Sequence, residues 1–187
     1  IGVLIKFDYN GDTIWQKVYR DSNPNDGLIP QSLTRSEDGG FLITGYAFIN
    51  NPCLLIKTDA SGNLLWQKKI GPNVQDGKSI VQDSLTKKII IVGYQYLGGG
   101  TYSNVLILDS LGNKLVQTTF NNSGGGAFSE IIKLKDNNFL TSGAVNVFND
   151  WGNLSRTKSL VVKFDLMGSI LWNKTYDVNS PFNAATL

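Results

Sequence analysis

One stretch of the chain has the spacing of a metal loop: Asp8-x-Asn10-x-Asp12, whose alternating side-chain oxygens would suit calcium. The related segments argue otherwise. At the position of Asn10 they carry Ser61, Leu111 and Met167, and neither Leu nor Met can ligate calcium. What persists is an aspartate followed three residues later by a glycine: Asp8 and Gly11, Asp59 and Gly62, Asp109 and Gly112, Asp165 and Gly168. That pair predicts a tight turn in which the carboxylate accepts backbone amides and the glycine takes φ > 0. No metal site is expected.

Other chemistries lack their residues. The chain has no histidine, which removes the usual general base near neutral pH and the commonest metal ligand. Cys53 is the single cysteine, so neither an internal disulfide nor a thiolate zinc cluster can form. Glycosidase chemistry needs two carboxylates in one pocket. Glu37 and Glu130 are the only glutamates, and Asp26 and Asp76 stand in Asp-Gly pairs that read as turns. The third copy has Gly124-Gly125-Gly126 there instead. No catalytic residue and no cofactor-binding residue is therefore expected in this stretch. A net charge of +2 with no basic cluster argues against nucleic acid or an anionic membrane as partner. No apolar run approaches the ~20 residues a transmembrane helix needs.

The elements that would position any site are set by a repeat. Leu4-Ile5-Lys6-Phe7-Asp8, Gly11 and Trp15-Gln16-Lys17 recur as Leu55-Ile56-Lys57-Thr58-Asp59, Gly62 and Trp66-Gln67-Lys68, displaced by 51 residues. A third copy has Leu106-Ile107-Leu108-Asp109 and Gly112, with Val116 at the tryptophan position; a fourth has Val161-Val162-Lys163-Phe164-Asp165, Gly168 and Trp172. Between them lies a second module: Phe41-Leu42-Ile43-Thr44-Gly45, Ile89-Ile90-Ile91-Val92-Gly93, and Phe139-Leu140-Thr141-Ser142-Gly143. Shorter apolar strands precede each, at Leu28 to Thr34, Ser79 to Ser84 and Phe128 to Leu134. Four short strands per unit of roughly 50 residues, broken by Gly, Asn and Asp turns, describe an all-β protein built of β-propeller blades. With strands lettered A to D from the centre outward, residues 1–20 supply strands C and D of one blade. Complete blades follow at 21–71, 72–121 and 122–177, and 178–187 begin another. That amounts to about three and a half blades, expected to be a fragment of a larger ring.

The pattern Ile5-Lys6-x-Asp8-x-x-Gly11-x-x-x-Trp15, followed by Asp38-Gly39-Gly40-Phe41 and Gly45, resembles the degenerate propeller repeats of secreted and surface proteins in Bacteroidetes-type bacteria. It is also similar to the tryptophan-docking blades of quinoprotein-like propellers. The first resemblance implies an extracellular or outer-surface location and export of the type IX kind. The second raises a quinone-dependent dehydrogenase, which would need metal ligands at the ring centre that this stretch does not offer. Asp12-Thr13-Ile14, Asp83-Ser84-Leu85 and Asp109-Ser110-Leu111 are similar to the O-glycan acceptors of such proteins. Asn121-Asn122-Ser123, Asn153-Leu154-Ser155 and Asn173-Lys174-Thr175 fit the N-glycan pattern.

Trp15, Trp66 and Trp172 recur at one strand position, so they are expected to pack between blades rather than serve as ligand platforms. Function is expected on the face carrying the B–C and D–A connections, which are long and differ between copies: Arg20 to Gly27, Tyr94 to Asn104, and Ala144 to Lys158. Candidate partner-binding residues are Trp151, Phe148 and Arg156 on the longest of these, and Tyr94, Tyr96 and Tyr102 around Gly98-Gly99-Gly100. The expected function is a non-enzymatic module that binds a protein or glycan partner, or other domains of a larger surface assembly. The alternatives are an enzyme whose catalytic residues lie outside this chain, and a structural spacer.

Overall fold

The computed structural model of the chain describes residues 1–71, 76–120, 125–148 and 154–177. It contains fourteen strands among the described residues and no helix. A two-stranded sheet comes first, β1 (Gly2–Phe7) with β2 (Thr13–Tyr19). Three four-stranded antiparallel meanders follow: β3 (Leu28–Arg35), β4 (Phe41–Ala47), β5 (Cys53–Thr58) and β6 (Leu64–Ile70); β7 (Asp76–Gln82), β8 (Ile89–Leu97), β9 (Gly100–Leu108) and β10 (Lys114–Phe120); and β11 (Gly126–Lys133), β12 (Phe139–Phe148), β13 (Leu154–Phe164) and β14 (Ile170–Tyr176). These are propeller blades in A–B–C–D order, preceded by a C–D pair. Residues 178–187, read as the start of a further blade, lie outside the described residues.

The middle strands read as continuous apolar runs because both faces of each sheet are covered. In β8, Ile89 and Ile91 pack toward the preceding sheet with Leu42, Cys53 and Leu55, while Ile90 and Val92 pack toward the following one with Phe128, Phe139 and Phe164. Tyr19, Leu28, Ile43 and Leu54 close the first interface. The outer strands add single buried residues to this core, Tyr19 of β2, Ile70 of β6 and Phe120 of β10, whereas β14 is exposed along its length.

Each interface is latched by the repeated motif. Trp15, Trp66 and Trp172 hold the same register, opposite Lys6, Lys57 and Lys163. The Trp15 indole lies on Gly62 of the next sheet's C–D turn, where an added Cβ would come within 2.7 Å of the ring; Trp66 lies likewise on Gly112, at 2.9 Å. Two residues on, Lys17 donates to the Asn63 side chain at 2.8 Å and Lys68 to that of Asn113 at 2.7 Å. In the third copy Val116 and Thr118 meet Gly168 in place of an indole. The expectation of packing between blades holds for Trp15 and Trp66, which are half-buried, whereas Trp172 stays 39% exposed.

The turns themselves have the expected chemistry. In all four, one carboxylate oxygen of Asp8, Asp59, Asp109 or Asp165 accepts the amides of the residues two and four further on. The glycine of each has φ between 77° and 90°. The A–B turns carry a second repeated clamp. Lys57 reaches Asp38 at 2.6 Å and Ser36 at 2.7 Å, and Lys163 reaches Asp136 at 2.5 Å. Where the third copy has Ile107 instead of lysine, Lys133 from the next sheet takes Asp83 at 2.5 Å.

Two expectations need correction. The segments Tyr94 to Asn104 and Ala144 to Lys158 are not long loops: they are mostly strand. β8 and β9 pair out to Leu97 and Gly100 around a turn of Gly98 (φ 55°) and Gly99 (φ 87°), a two-residue hairpin that positive φ at both centres permits. β12 and β13 likewise pair from Phe139 to Phe148. Asp26 and Asp76 are not simple turn residues either. Asp26 is buried, bonded by Lys69 at 2.6 Å and by the Ile49 amide at 2.8 Å; Asp76 is the first residue of β7.

The turn glycines separate two effects that substitution can measure. Gly11 (φ 90°) has nothing within 4 Å of an added Cβ, whereas Gly62 (φ 77°) has the indole. Gly11→Ala is expected to lose about 1–2 kcal/mol from left-handed strain alone. Gly62→Ala should lose a further ~1–3 kcal/mol from the displaced Trp15. Urea unfolding of the two variants checks this, and equal losses would mean that the indole contact carries no weight.

Candidate functional site

A glycine recurs in each B strand, at Gly45, Gly93 and Gly143. An added Cβ there would meet a backbone carbonyl of the A strand, Ile29, Asp76 or Ala127, within 2.1 Å. At this point each A strand bulges: the register shifts between Pro30 and Ser32, Gly77 and Ser79, and Phe128 and Glu130. The extra residue of each bulge is Gln31, Lys78 or Ser129. Bulges re-aim the side chain they insert. Here they turn Gln31 and Lys78 into a cleft between the first two four-stranded sheets, of about 310 Å³, lined also by Tyr46, Phe48, Asn51, Asp76, Tyr94 and Tyr96.

The floor is an ion-paired carboxylate. Asp76 is 4% exposed, and its Oδ2 accepts from Lys78 Nζ at 2.8 Å and from the Gln31 amide at 3.1 Å. Its Oδ1 is buried with no partner among the described residues. The Lys78 ammonium also lies over the Tyr94 ring, 5.5 Å from its centroid. Tyr94 and Tyr96 meet edge to face at 5.8 Å and 89°. Burial, together with the Asp76 carboxylate beside it, pushes the Tyr94 phenol up to about 12. Tyr96 and Phe48 form the open rim, 52% and 67% exposed.

The candidate residues named from the sequence separate. Tyr94 and Tyr96 belong to the cleft. Tyr102 pairs with Gln95, so it points to the opposite side of the β8–β9 ribbon. Arg156 sits on β13, in a different sheet, 3.4 Å from Asp177. Phe148 ends β12, and Trp151 lies outside the described residues. Gln31, Tyr46, Phe48, Asp76 and Lys78 were not anticipated. A readable signal did exist: the positions one and three after the B-strand glycine are Tyr46 and Phe48 in one copy and Tyr94 and Tyr96 in the next, but Ala144 and Asn146 in the third.

Elsewhere the titratable groups are engaged structurally. Lys69 bridges half-buried Asp21 and buried Asp26 at 2.8 and 2.6 Å, and Ser79 donates to Glu130 at 2.9 Å. Burial pushes the Cys53 thiol up to about 12, which leaves it without thiolate character near neutral pH. Among the described residues no three His, Cys, Asp or Glu side chains stand together as metal ligands, and no helix is long and apolar enough to cross a membrane.

No protein-family model and no curated protein matches the chain. Among solved structures it is similar to a protein of unknown function from Bacteroides caccae, with 14% identity over 92% of this chain and 72% of that one and a TM-score of 0.47. It is also similar to Kuenenia stuttgartiensis hydrazine synthase, with 7% identity over 86% of this chain and 56% of that one and a TM-score of 0.45. What defines the class of this chain is its own sheet order: a partial β-propeller.

Tyr94 reports directly on the cleft floor. Removing the negative charge by Asp76→Asn should lower the Tyr94 ionisation midpoint from about 12 towards, but not to, the ordinary tyrosine value, since burial remains. Ultraviolet titration at 295 nm, with Tyr94→Phe as the blank, measures it. An unchanged midpoint would show that the carboxylate does not act on this ring.

Proposed function

We propose that this chain is a non-enzymatic propeller module of a secreted or cell-surface bacterial protein, binding a protein or glycan partner through the face that carries its B–C and D–A connections. The cleft is the observation that carries this reading. It opens where β4 and β8 run out toward their B–C connections. It also joins a polar floor to four aromatic rings, the composition of a ligand site rather than of a blade interface. Its lining has a single carboxylate, Asp76, already paired with Lys78. A pair of free carboxylates, as glycoside hydrolysis requires, is not what this cleft offers. The secreted location rests on the repeat resemblance in the sequence. The tripeptides similar to glycan acceptors have a structural use in part: Asp109 caps a turn, and Asp83 is held by Lys133 and Thr86.

The test separates binding from folding. Binding of surface glycans and purified surface proteins to the immobilised chain should weaken about thirtyfold in Tyr96→Ala, the ~2 kcal/mol typical of a hot-spot aromatic, with thermal stability nearly unchanged. Trp66→Ala should instead destabilise the fold by roughly 3–5 kcal/mol. Trp151→Ala in the same assay shows whether the β12–β13 hairpin tip joins the contact. Full binding by Tyr96→Ala would remove the cleft from the interface.

A further inference from the structure

We infer that the cleft between the β3–β6 and β7–β10 sheets is a subsite for one neutral sugar ring, which makes a glycan rather than a protein the partner of this face. The inference rests on the binding-module reading and names the ligand class of the same site.

Charge decides first. The one cation and the one anion of the lining are bonded to each other, Lys78 to Asp76 at 2.8 Å, and the remaining lining residues are neutral. Neither an anionic nor a cationic ligand finds an uncompensated partner there, and burying an unpaired charge is costly. The ligand that fits is uncharged.

Hydrogen bonding decides next. Lys78 is half-buried and Asn51 exposed at the cleft wall, and Gln31 offers both an amide donor and an amide acceptor. Asp76 keeps an unpartnered Oδ1 among the described residues. That oxygen is shielded from solvent, so the groups a ligand can meet directly are the Lys78 ammonium and the Gln31 and Asn51 amides. A hydroxyl both donates and accepts at such groups and brings no charge.

Shape completes the case. A pyranose has hydroxyls around its rim and an apolar C–H face, and it therefore asks for polar groups at one side and an aromatic ring at the other. Lys78 already covers one ring, Tyr94. Tyr96 and Phe48, at 52% and 67% exposure, keep open surface for stacking. At about 310 Å³ the cleft lies at the small end of ligand pockets, which run from ~300 Å³. One ring fits inside, and the rest of a chain would run across the face.

The chain, as it stands, should be titrated calorimetrically with soluble neutral polysaccharides (galactomannan, xyloglucan, mixed-linkage β-glucan, soluble starch) and with polygalacturonate as the acidic control. The expected result is saturable binding to at least one neutral polymer, with affinity at least tenfold weaker in Tyr96→Ala and in Phe48→Ala and unchanged in Arg156→Ala. Asp76→Asn should weaken it too; since Asp76 is buried and its replacement can disturb folding, the two rim variants carry the test by themselves. Binding to none of the neutral polymers, or to polygalacturonate alone, overturns the inference. So does neutral-polymer binding that both rim variants keep. A purified surface protein bound by wild type and lost in Tyr96→Ala, with no neutral polymer bound, would sink the glycan assignment while leaving the module reading intact. Loss of every ligand class would sink both.

Discussion

A tryptophan resting on a turn glycine of the neighbouring sheet is the contact on which the arrangement of the blades depends. The indole of Trp15 can reach Gly62, and that of Trp66 can reach Gly112, only because those glycines lack a Cβ. The same glycines adopt φ of 77° and 78°, which lets the preceding aspartate close its turn. One residue type thus meets a backbone requirement and a packing requirement together. Around it Lys17 and Lys68 bond the asparagine next to the glycine, and Tyr19 donates to the Gly62 carbonyl at 2.8 Å. The motif that repeats in the sequence is therefore mostly the two halves of one inter-sheet latch, separated by about a blade.

A second glycine sets the inner end of each blade. Gly45, Gly93 and Gly143 let the A-strand carbonyl come closer than any side chain would allow, and the A strand bulges at that point. The bulge is a framework feature, present in all three meanders. What varies is its cargo: Gln31, Lys78 and Ser129. Latch and bulge have different consequences. The first locks neighbouring sheets at their outer strands, and the second presents side chains at their inner ones.

The blade repeat was legible because its landmarks are set by local steric demands that recur at fixed spacing. Asp-x-x-Gly turns, the docking tryptophan and the B-strand glycine each leave a fixed residue type behind. The cleft was less legible for three physical reasons. A bulge inserts a residue without changing composition, so alternation along β7 does not reveal that Lys78 is re-aimed. Asp76-Gly77 has the composition of a turn yet stands in a strand, held there by pairing with Tyr94 and Gly93. Finally, Gly98-Gly99 looks like the tip of a long loop, but positive φ at both residues makes it a two-residue hairpin, and Tyr94 and Tyr96 become strand residues on one face. Tyr102 shows the outcome: close to Tyr96 in sequence, it belongs to the other side of the ribbon.

Among the described residues the four rings of the cleft belong to one interface, and the register explains why. The residues one and three after the B-strand glycine fall on the same side of the strand in β8 and β12, where side chains alternate with a period of two, and Phe48, just past the end of β4, lines the cleft beside Tyr46. In the first two meanders these are Tyr46 with Phe48 and Tyr94 with Tyr96; in the third they are Ala144 and Asn146. Only where two aromatic-bearing meanders adjoin do four rings surround the bulge residues. The equivalent junction of the second and third meanders pairs Lys78 with Ser129 and replaces two rings by Ala144 and Asn146. A repeated scaffold therefore gives junctions of different composition through substitution at positions the scaffold leaves free. Because those positions lie away from the turn glycines and the docking tryptophans, their side chains can change without disturbing the latch that holds the sheets together.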